Sequence, residues 1–598
     1  MHEALLIAEV FICVLECLAQ DTILPPDGPD EGFLPFVSLE DTDGTSNTNT
    51  GWGALAALAR TCRTLSDPAM DLLWRRLHSL DTIVRCLPGI NDDLYRTALP
   101  PFSDKDWIIL QRYTPRVREL TLGMEAYGSW SENLSLKVLQ YLMFSATKLL
   151  PNLSQLHWSC NVSTVMVYLR PLLTPTLTHL DISFGDVGDG AVLALLRGYH
   201  TLCPNLKSFR VNCQQNQYTD AISQAICQPL NLESIDCDLI DAAAFTHLAQ
   251  SATLKTLSAR LVKQSFDTSE GHRIMTGLAR YSSPDLPPFR NVKVIDLHIE
   301  DLPFMIPLLR PHHQSFNNIS LTFRVVPTTA ILHAFFSTLG STPRRGSVRR
   351  IELRQRTTLH RNTHHGHYQP LTYDSLCPLL SFPHLRELVL ELDNPVSLND
   401  EELMMLACNW PRLEVLKVNC RSGWRVDSSA CPVTLKGLVS LLRLCPMLCE
   451  LGLSLDARDI PLPSIDLCAL QVIAPAWSGA HQGSWGIRNT KITMLYLSDS
   501  PLEDPTSVTT FLTEVLASLR KVDAPELPIR RIISRSRSHD HPLSLSRLNT
   551  NPLQSPGGAS GTNRRLPTPA QLEHYVLWKQ VNEHLTERAR RQVSMASN

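Results

Sequence analysis

The sequence predicts an α/β fold of stacked strand-plus-helix repeats, preceded by a short all-helical module. Three observations carry this. The pattern apolar-x-x-apolar-x-apolar recurs thirteen times along the middle of the chain. Proline punctuates the segments between occurrences. The first 80 residues show helical periodicity instead.

The repeats begin as Val117/Leu120/Leu122, Leu153/Leu156/Trp158, Leu177/Leu180/Ile182, Leu206/Phe209/Val211, Leu232/Ile235/Cys237 and Leu254/Leu257/Ala259. They continue as Val292/Ile295/Leu297, Phe316/Ile319/Leu321, Val348/Ile351/Leu353, Leu385/Leu388/Leu390, Leu413/Leu416/Val418, Leu448/Leu451/Leu453 and Ile492/Leu495/Leu497. Central positions lie 22 to 44 residues apart. Leucine-rich repeats run about 20 to 29 residues, so the longer intervals need longer helices or loops. Helical patterns at Gly190–Arg197, Glu402–Ala407 and Leu435–Leu442 each precede a cysteine or tryptophan, then proline, then the next strand. Proline stops the helix and sends the chain into an extended segment. One such unit cannot bury its own apolar face, so neighbours must complete the core. The alternative is a set of unrelated buried strands in an α/β domain. The asparagine that usually follows the third position is nearly absent. Asn161 occupies it, while Glu125, Gly185, Gln214, Asp393, Arg421 and Asp456 stand there in other repeats, which predicts irregular turns.

In the opening module, Leu5, Leu6, Glu9, Val10, Cys13, Val14 and Cys17 recur at spacings of three and four, as on a helix. A polar stretch from Gln20 to Gly53 reads as a mobile insert. Leu55, Leu58, Ala59, Cys62 and Leu65 form a second stripe. Asp67-Pro68 reads as an N-cap with proline at the first helical position, and Met70, Leu73, Trp74 and Leu77 continue the pattern. Such short helices serve either as a cap for the repeats or as a docking surface for another protein.

These residues resemble a known family. Leu6-Ile-Ala-Glu-Val-Phe-Ile-Cys-Val-Leu-Glu-Cys-Leu18 is similar to the first F-box helix, and Ala54-Leu-Ala-Ala-Leu-Ala-Arg-Thr-Cys-Arg-Thr-Leu65 to its second half. Asp67-Pro-Ala-Met-Asp-Leu-Leu-Trp-Arg-Arg-Leu77 resembles the continuation in F-box-like proteins of mushroom-forming fungi, which end in a tryptophan-containing helix like the one around Trp578. Ala8 replaces the family's proline, and the insert is long. The resemblance implies an F-box-like module over 1–80 that binds a Skp-type adaptor, and through it a cullin. By that analogy Leu6, Ile7, Glu9, Val10, Leu15, Leu55, Leu58, Cys62 and Leu65 are the adaptor-binding candidates.

The repeats are expected over 81–522, a disordered Pro/Ser/Arg/Gly linker over 523–570 and a terminal helix over 571–598. The run Arg530–Ser538 reads as a solvated linker or as a phosphorylated or import-directing segment. The helix carries Leu572, Tyr575, Val576, Val581 and Leu585, with Arg588, Arg590 and Arg591 near its C-terminus.

Composition excludes other classes. The net charge is −3 with 19% charged residues, so nothing points to nucleic acid. Leu5 to Leu18 is interrupted by Glu9 and Glu16 and falls short of the ~20 residues of a membrane span, so no membrane partner is expected. The 16 cysteines include no CxxC pair; Cys13/Cys17 and Cys445/Cys449 are four apart, as on one face of a helix. Buried thiols in a reducing cytoplasmic or nuclear compartment are expected, with no disulfide framework. His360, His364, His365 and His367 form a histidine-rich loop that could hold zinc or copper or remain solvated. There is no Gly-rich phosphate loop, HExxH or GxSxG, so the expectation is no enzyme, metal or cofactor.

The functional expectation is substrate recognition for a ubiquitin ligase by a protein that is a monomer outside the complex. The alternative is a leucine-rich scaffold with no ligase role. The residues between the second and third apolar positions face out of the sheet. His157, Asp181, Arg210, Asp236, Asp296, Glu352, Lys417 and Tyr496 are therefore the candidates for touching an unidentified protein client.

Overall fold

The computed structural model describes residues 50–61, 63–88, 102–124, 138–140, 149–160, 163–184, 189–213, 216–228, 230–262, 288–309, 316–342, 345–356, 369–420, 433–461, 487–497, 500–523 and 569–596. It is an α/β fold whose strands pair in parallel and in sequence order. The chain divides into two compact units, Met1–Phe266 and Asp267–Asn598.

Among the described residues of the first unit, helices α1 (Thr50–Ala59) and α2 (Arg63–Arg75) come first. Thr50 to Gly53, read from sequence as the end of the insert, are helical, and Trp52 packs onto the cluster of Leu55, Leu65 and Ala69. The N-cap reading of Asp67-Pro68 is corrected too: α2 begins at Arg63 and carries Pro68 inside it. Asp67 and Asp71 instead accept from the Arg116 guanidinium, which ties α2 to the turn before the second strand.

Among the described residues seven strands follow: β1 (Arg76–Leu77), β2 (Glu119–Met124), β3 (Gln155–Cys160), β4 (His179–Phe184), β5 (Ser208–Cys213), β6 (Ser234–Ile240) and β7 (Thr256–Leu261). Each pairs in parallel with its predecessor. Helices α3 (Asp189–Leu202), α4 (Thr219–Ile226) and α5 (Ala242–Gln250) pack successively beside one another.

The second unit repeats the plan. Its strands are β8 (Val294–His298), β9 (Asn318–Phe323), β10 (Arg350–Gln355), β11 (Glu387–Glu391), β12 (Val415–Val418), β13 (Glu450–Gly452), β14 (Met494–Tyr496) and β15 (Lys521–Asp523). They pair in order, again in parallel. Between them run α6 (Thr329–Gly340), α7 (Asp400–Ala407), α8 (Leu435–Leu444) and α9 (Pro505–Val515). The last helix, α10 (Pro569–Ala596), packs on α9 and β15.

The central position of every sequence motif lies on a strand, β2 to β14, and all three apolar positions of each are buried, none more than 6% exposed. The register explains this. Leu120, Leu156, Leu180, Phe209, Ile235 and Leu257 stand opposite one another on successive strands, so each repeat completes its neighbour's core. Burying such a side chain is worth about 1.5–3 kcal/mol relative to leaving it exposed. The helix-cysteine/tryptophan-proline punctuation also has a physical role. Cys203, Trp410 and Cys445 are buried beneath their helix ends, and Trp410 donates its indole N–H to the Leu379 carbonyl at 3.4 Å.

Polar side chains link the repeats where the strands begin. Asn152 donates to the Pro115 carbonyl at 2.8 Å, Asn205 to Pro175 at 2.9 Å, Thr253 to Leu232 at 2.8 Å and Ser347 to Phe316 at 2.8 Å. Beyond the strands, asparagine ties the turns together at positions outside the expected offset. Asn419, with φ 51°, accepts from the Leu392 N–H at 2.8 Å and donates to the Asn394 carbonyl at 2.7 Å. Asn394 in turn donates to the Pro327 and Gln369 carbonyls.

The terminal helix closes the last strand. Trp578, Val581 and Leu585 are buried, and Val576 is exposed. The Asn582 amide accepts from the Val522 N–H at 2.8 Å and donates to its carbonyl at 2.7 Å, as another strand would. The helix runs to Ala596, so Arg588, Arg590 and Arg591 do not lie in its last turn.

Ten cysteines among the described residues are free thiols, and Cys203, Cys213, Cys237 and Cys445 are buried. The expectation of buried thiols fails for Cys227 and Cys408, which are exposed. Cys445 and Cys449 do not share a helix face, because α8 ends at Leu444 and Pro446 follows. Burial pushes the Cys203 and Cys445 thiols from 9.0 up to about 12. Both are therefore neutral in the folded chain where the unfolded chain ionises. Their stabilising contribution is complete below pH 9.0 and is lost as pH rises toward about 12. Denaturation followed across this window should show falling stability. In native alkylation at pH 8, mapped by peptide mass, Cys227 and Cys408 should react and Cys203, Cys237 and Cys445 should not. Early labelling of the last three would contradict their burial.

No helix among the described residues is long and apolar enough to cross a membrane.

Candidate functional site

The site proposed from sequence is a surface. Alternation along a strand sends the residue between the two strand-borne apolar positions to the opposite face of the sheet. In the first unit this puts Thr121, His157, Asp181, Arg210, Asp236 and Ser258 in one register row across β2 to β7. In the second unit the row is Asp296, Ser320, Glu352, Val389, Lys417, Gly452, Tyr496 and Asp523 across β8 to β15. The structure thus assigns every client candidate to one of two rows, four to each unit.

The first row carries an ion-pair ladder. His157 Nδ1 lies 3.2 Å from Asp181 Oδ2, Arg210 reaches the same oxygen at 3.3 Å, and its Nε donates to Asp236 at 2.8 Å. Desolvation disfavours the guanidinium charge, but Asp236 and Asp181 outweigh it and raise the Arg210 pKa. Partly exposed pairs of this kind contribute about 0–1 kcal/mol each to folding. The ladder therefore does little for the fold and leaves an ordered set of donors and acceptors facing outward.

The second row differs. Glu352 is 4% exposed, because Arg350 and Arg354, two residues away on the same strand face, both bond its carboxylate. Read from sequence as an accessible contact, it is covered by its own strand. Lys417 sits 4.8 Å from the Tyr496 ring centroid and 2.6 Å from Glu450. Gly452, on the strand between, permits this. A Cβ there would overlap the Cys420 sulfur and come within 3.1 Å of the Tyr496 Cβ. Desolvation raises the Tyr496 pKa, with Lys417 opposing.

Of the adaptor candidates, Leu6, Ile7, Glu9, Val10, Leu15 and Cys62 lie outside the described residues. Leu55 and Leu65 are buried, 0% and 8% exposed, in the cluster between α1 and α2, and Leu58 is partly buried against it. The histidine loop at 360–367 and the arginine–serine run at 530–538 also lie outside the described residues. Among the described residues no three His, Cys, Asp or Glu side chains form a metal-binding group.

Sequence reasoning missed the arginine cover on Glu352, although Arg350-Ile-Glu352-Leu-Arg354 spells it at a period of two. It also missed Asp523, although Leu519/Val522/Ala524 repeats the motif with alanine third, as Leu254/Leu257/Ala259 does. No family model and no curated protein matches this chain.

Proposed function

We propose that the chain is the substrate-recognition subunit of a Skp-cullin-F-box type ubiquitin ligase. In this reading an F-box-like helical module leads into leucine-rich repeats that hold a protein client by binding, without chemistry of their own. The supporting observation is the outward row of the first unit, whose polar side chains His157, Asp181, Arg210 and Asp236 are held in register by parallel strands with an apolar opposite face. Rigid elements present recognition groups with little entropy left to lose. Helix α1 and the segment Leu6–Leu18 would meet the Skp-type adaptor, and the adaptor would carry the cullin.

A second reading, a leucine-rich scaffold that joins no ligase, is favoured by the burial of Leu55 and Leu65 between α1 and α2. Co-purification with the adaptor separates the two. Leu58 is the discriminating residue because it is only partly buried. Leu58→Asp should abolish adaptor capture, since desolvating an unpaired carboxylate costs several kcal/mol and each ~1.4 kcal/mol is tenfold in affinity. The thermal midpoint should fall less than for Leu55→Asp. A parent chain that captures no adaptor leaves the scaffold.

A further inference from the structure

A second surface lies at the edge of the sheet where the strands begin. In the second unit the residues just before the strands form a backbone ladder. The Arg349 carbonyl accepts from Arg386 N–H, Arg386 from Glu414, and Glu414 from Cys449, at 2.7 to 2.8 Å. The Thr493 carbonyl accepts from Arg520 N–H at 2.9 Å. Arg349, Arg386, Arg412, Lys491, Arg520 and Lys521 are all exposed along this rim. The carboxylates among them are already engaged: Glu387 by Arg350 at 3.0 Å, Glu414 by Arg386 at 3.1 Å and Glu450 by Lys417 at 2.6 Å. Arg349, Arg412, Lys491, Arg520 and Lys521 form no ion pair among the described residues. A chain with net charge −3 thus concentrates, among the described residues, positive charge outside any ion pair on one edge of this unit.

We propose that this rim docks an acidic, unfolded segment of the protein client. This rests on the client-recognition reading and adds the chemistry of what is recognised. Strands stand ~4.8 Å apart, so the five steps from β10 to β15 span roughly 24 Å, and an extended peptide at ~3.4 Å per residue covers that with about seven residues. Its carboxylates would face Arg349, Arg412 and Arg520, guanidinium being the fork that takes carboxylate in two bonds. Its neutral residues would fall at the rungs of Glu387 and Glu450, while on the β12 rung its carboxylate would face Arg412, Glu414 being held by Arg386. A peptide can place neutral residues opposite Glu387 and Glu450, whereas a nucleic acid, charged at every unit, has less freedom to do so.

The test uses the full chain and a fluorescein-labelled heptapeptide of four glutamates alternating with glycine, read by anisotropy. A lysine–glycine counterpart and an oligothymidylate of equal charge are run beside it. Saturable binding of the glutamate peptide above the other two is expected, weakening with added salt. The triple variant Arg349→Glu/Arg412→Glu/Arg520→Glu should bind it at least about tenfold more weakly, the sum of a few surface-strength ionic contacts. The corresponding glutamine triple should fall between, and both variants should keep the parent's thermal midpoint. Tighter binding of the oligothymidylate would overturn the proposal in favour of a nucleic-acid surface. Absence of saturable peptide binding, or indifference to both triples, would overturn it in favour of a merely solvated rim. Adaptor capture by the triple variant should match the parent's, so failure here is distinguishable from failure of the ligase reading.

Discussion

Trp578→Ala is expected to destabilise the second unit by about 3–5 kcal/mol, the usual range for removing a buried tryptophan. Trp578 is 2% exposed and donates its indole N–H to the Ser500 carbonyl at 2.9 Å. The change leaves a cavity under α10 and a buried Ser500 carbonyl without its donor. It also loosens the helix that holds Asn582 on Val522, so the free edge of β15 opens to other strands. Denaturant unfolding should give the loss, and light scattering should show self-association absent from the parent. An unchanged midpoint would mean that α10 is dispensable for the sheet.

Asn419→Ala should cost about 3 kcal/mol. Asn419 is fully buried, so two backbone groups, the Leu392 N–H and the Asn394 carbonyl, lose their partner together; each unsatisfied group costs about 1–3 kcal/mol. The backbone at φ 51° adds strain for alanine that glycine would not feel. Asn419→Gly should therefore recover part of the loss, and equal midpoints for the two variants would show that the strain is negligible.

The strand positions were legible in sequence because each motif needs three buried side chains at fixed offsets, and that demand appears residue by residue from Val117 to Leu497. β1 escaped because its pattern is incomplete: Arg76–Leu77 is followed by Ser79 where an apolar third position would stand, whereas β15 carries the pattern in Leu519, Val522 and Ala524. Asp67-Pro68 misled because capping was judged from two residues, while Asp67 bonds Arg116 far along the chain. The outward rows were legible as positions but not as contacts. Whether Arg210 stays in solvent or spans Asp181 and Asp236 depends on the register between strands, which single motifs do not state. The role of Asn582 had no signature, since a helix asparagine gives no hint that it completes a sheet.

Hydrogen–deuterium exchange of the full chain, alone and with the Skp-type adaptor, tests the central claim most directly. The ligase reading predicts new protection over residues 5–18 and in α1, with exchange across β2 to β15 unchanged. No new protection at either segment, or protection confined to the outward rows, would contradict it.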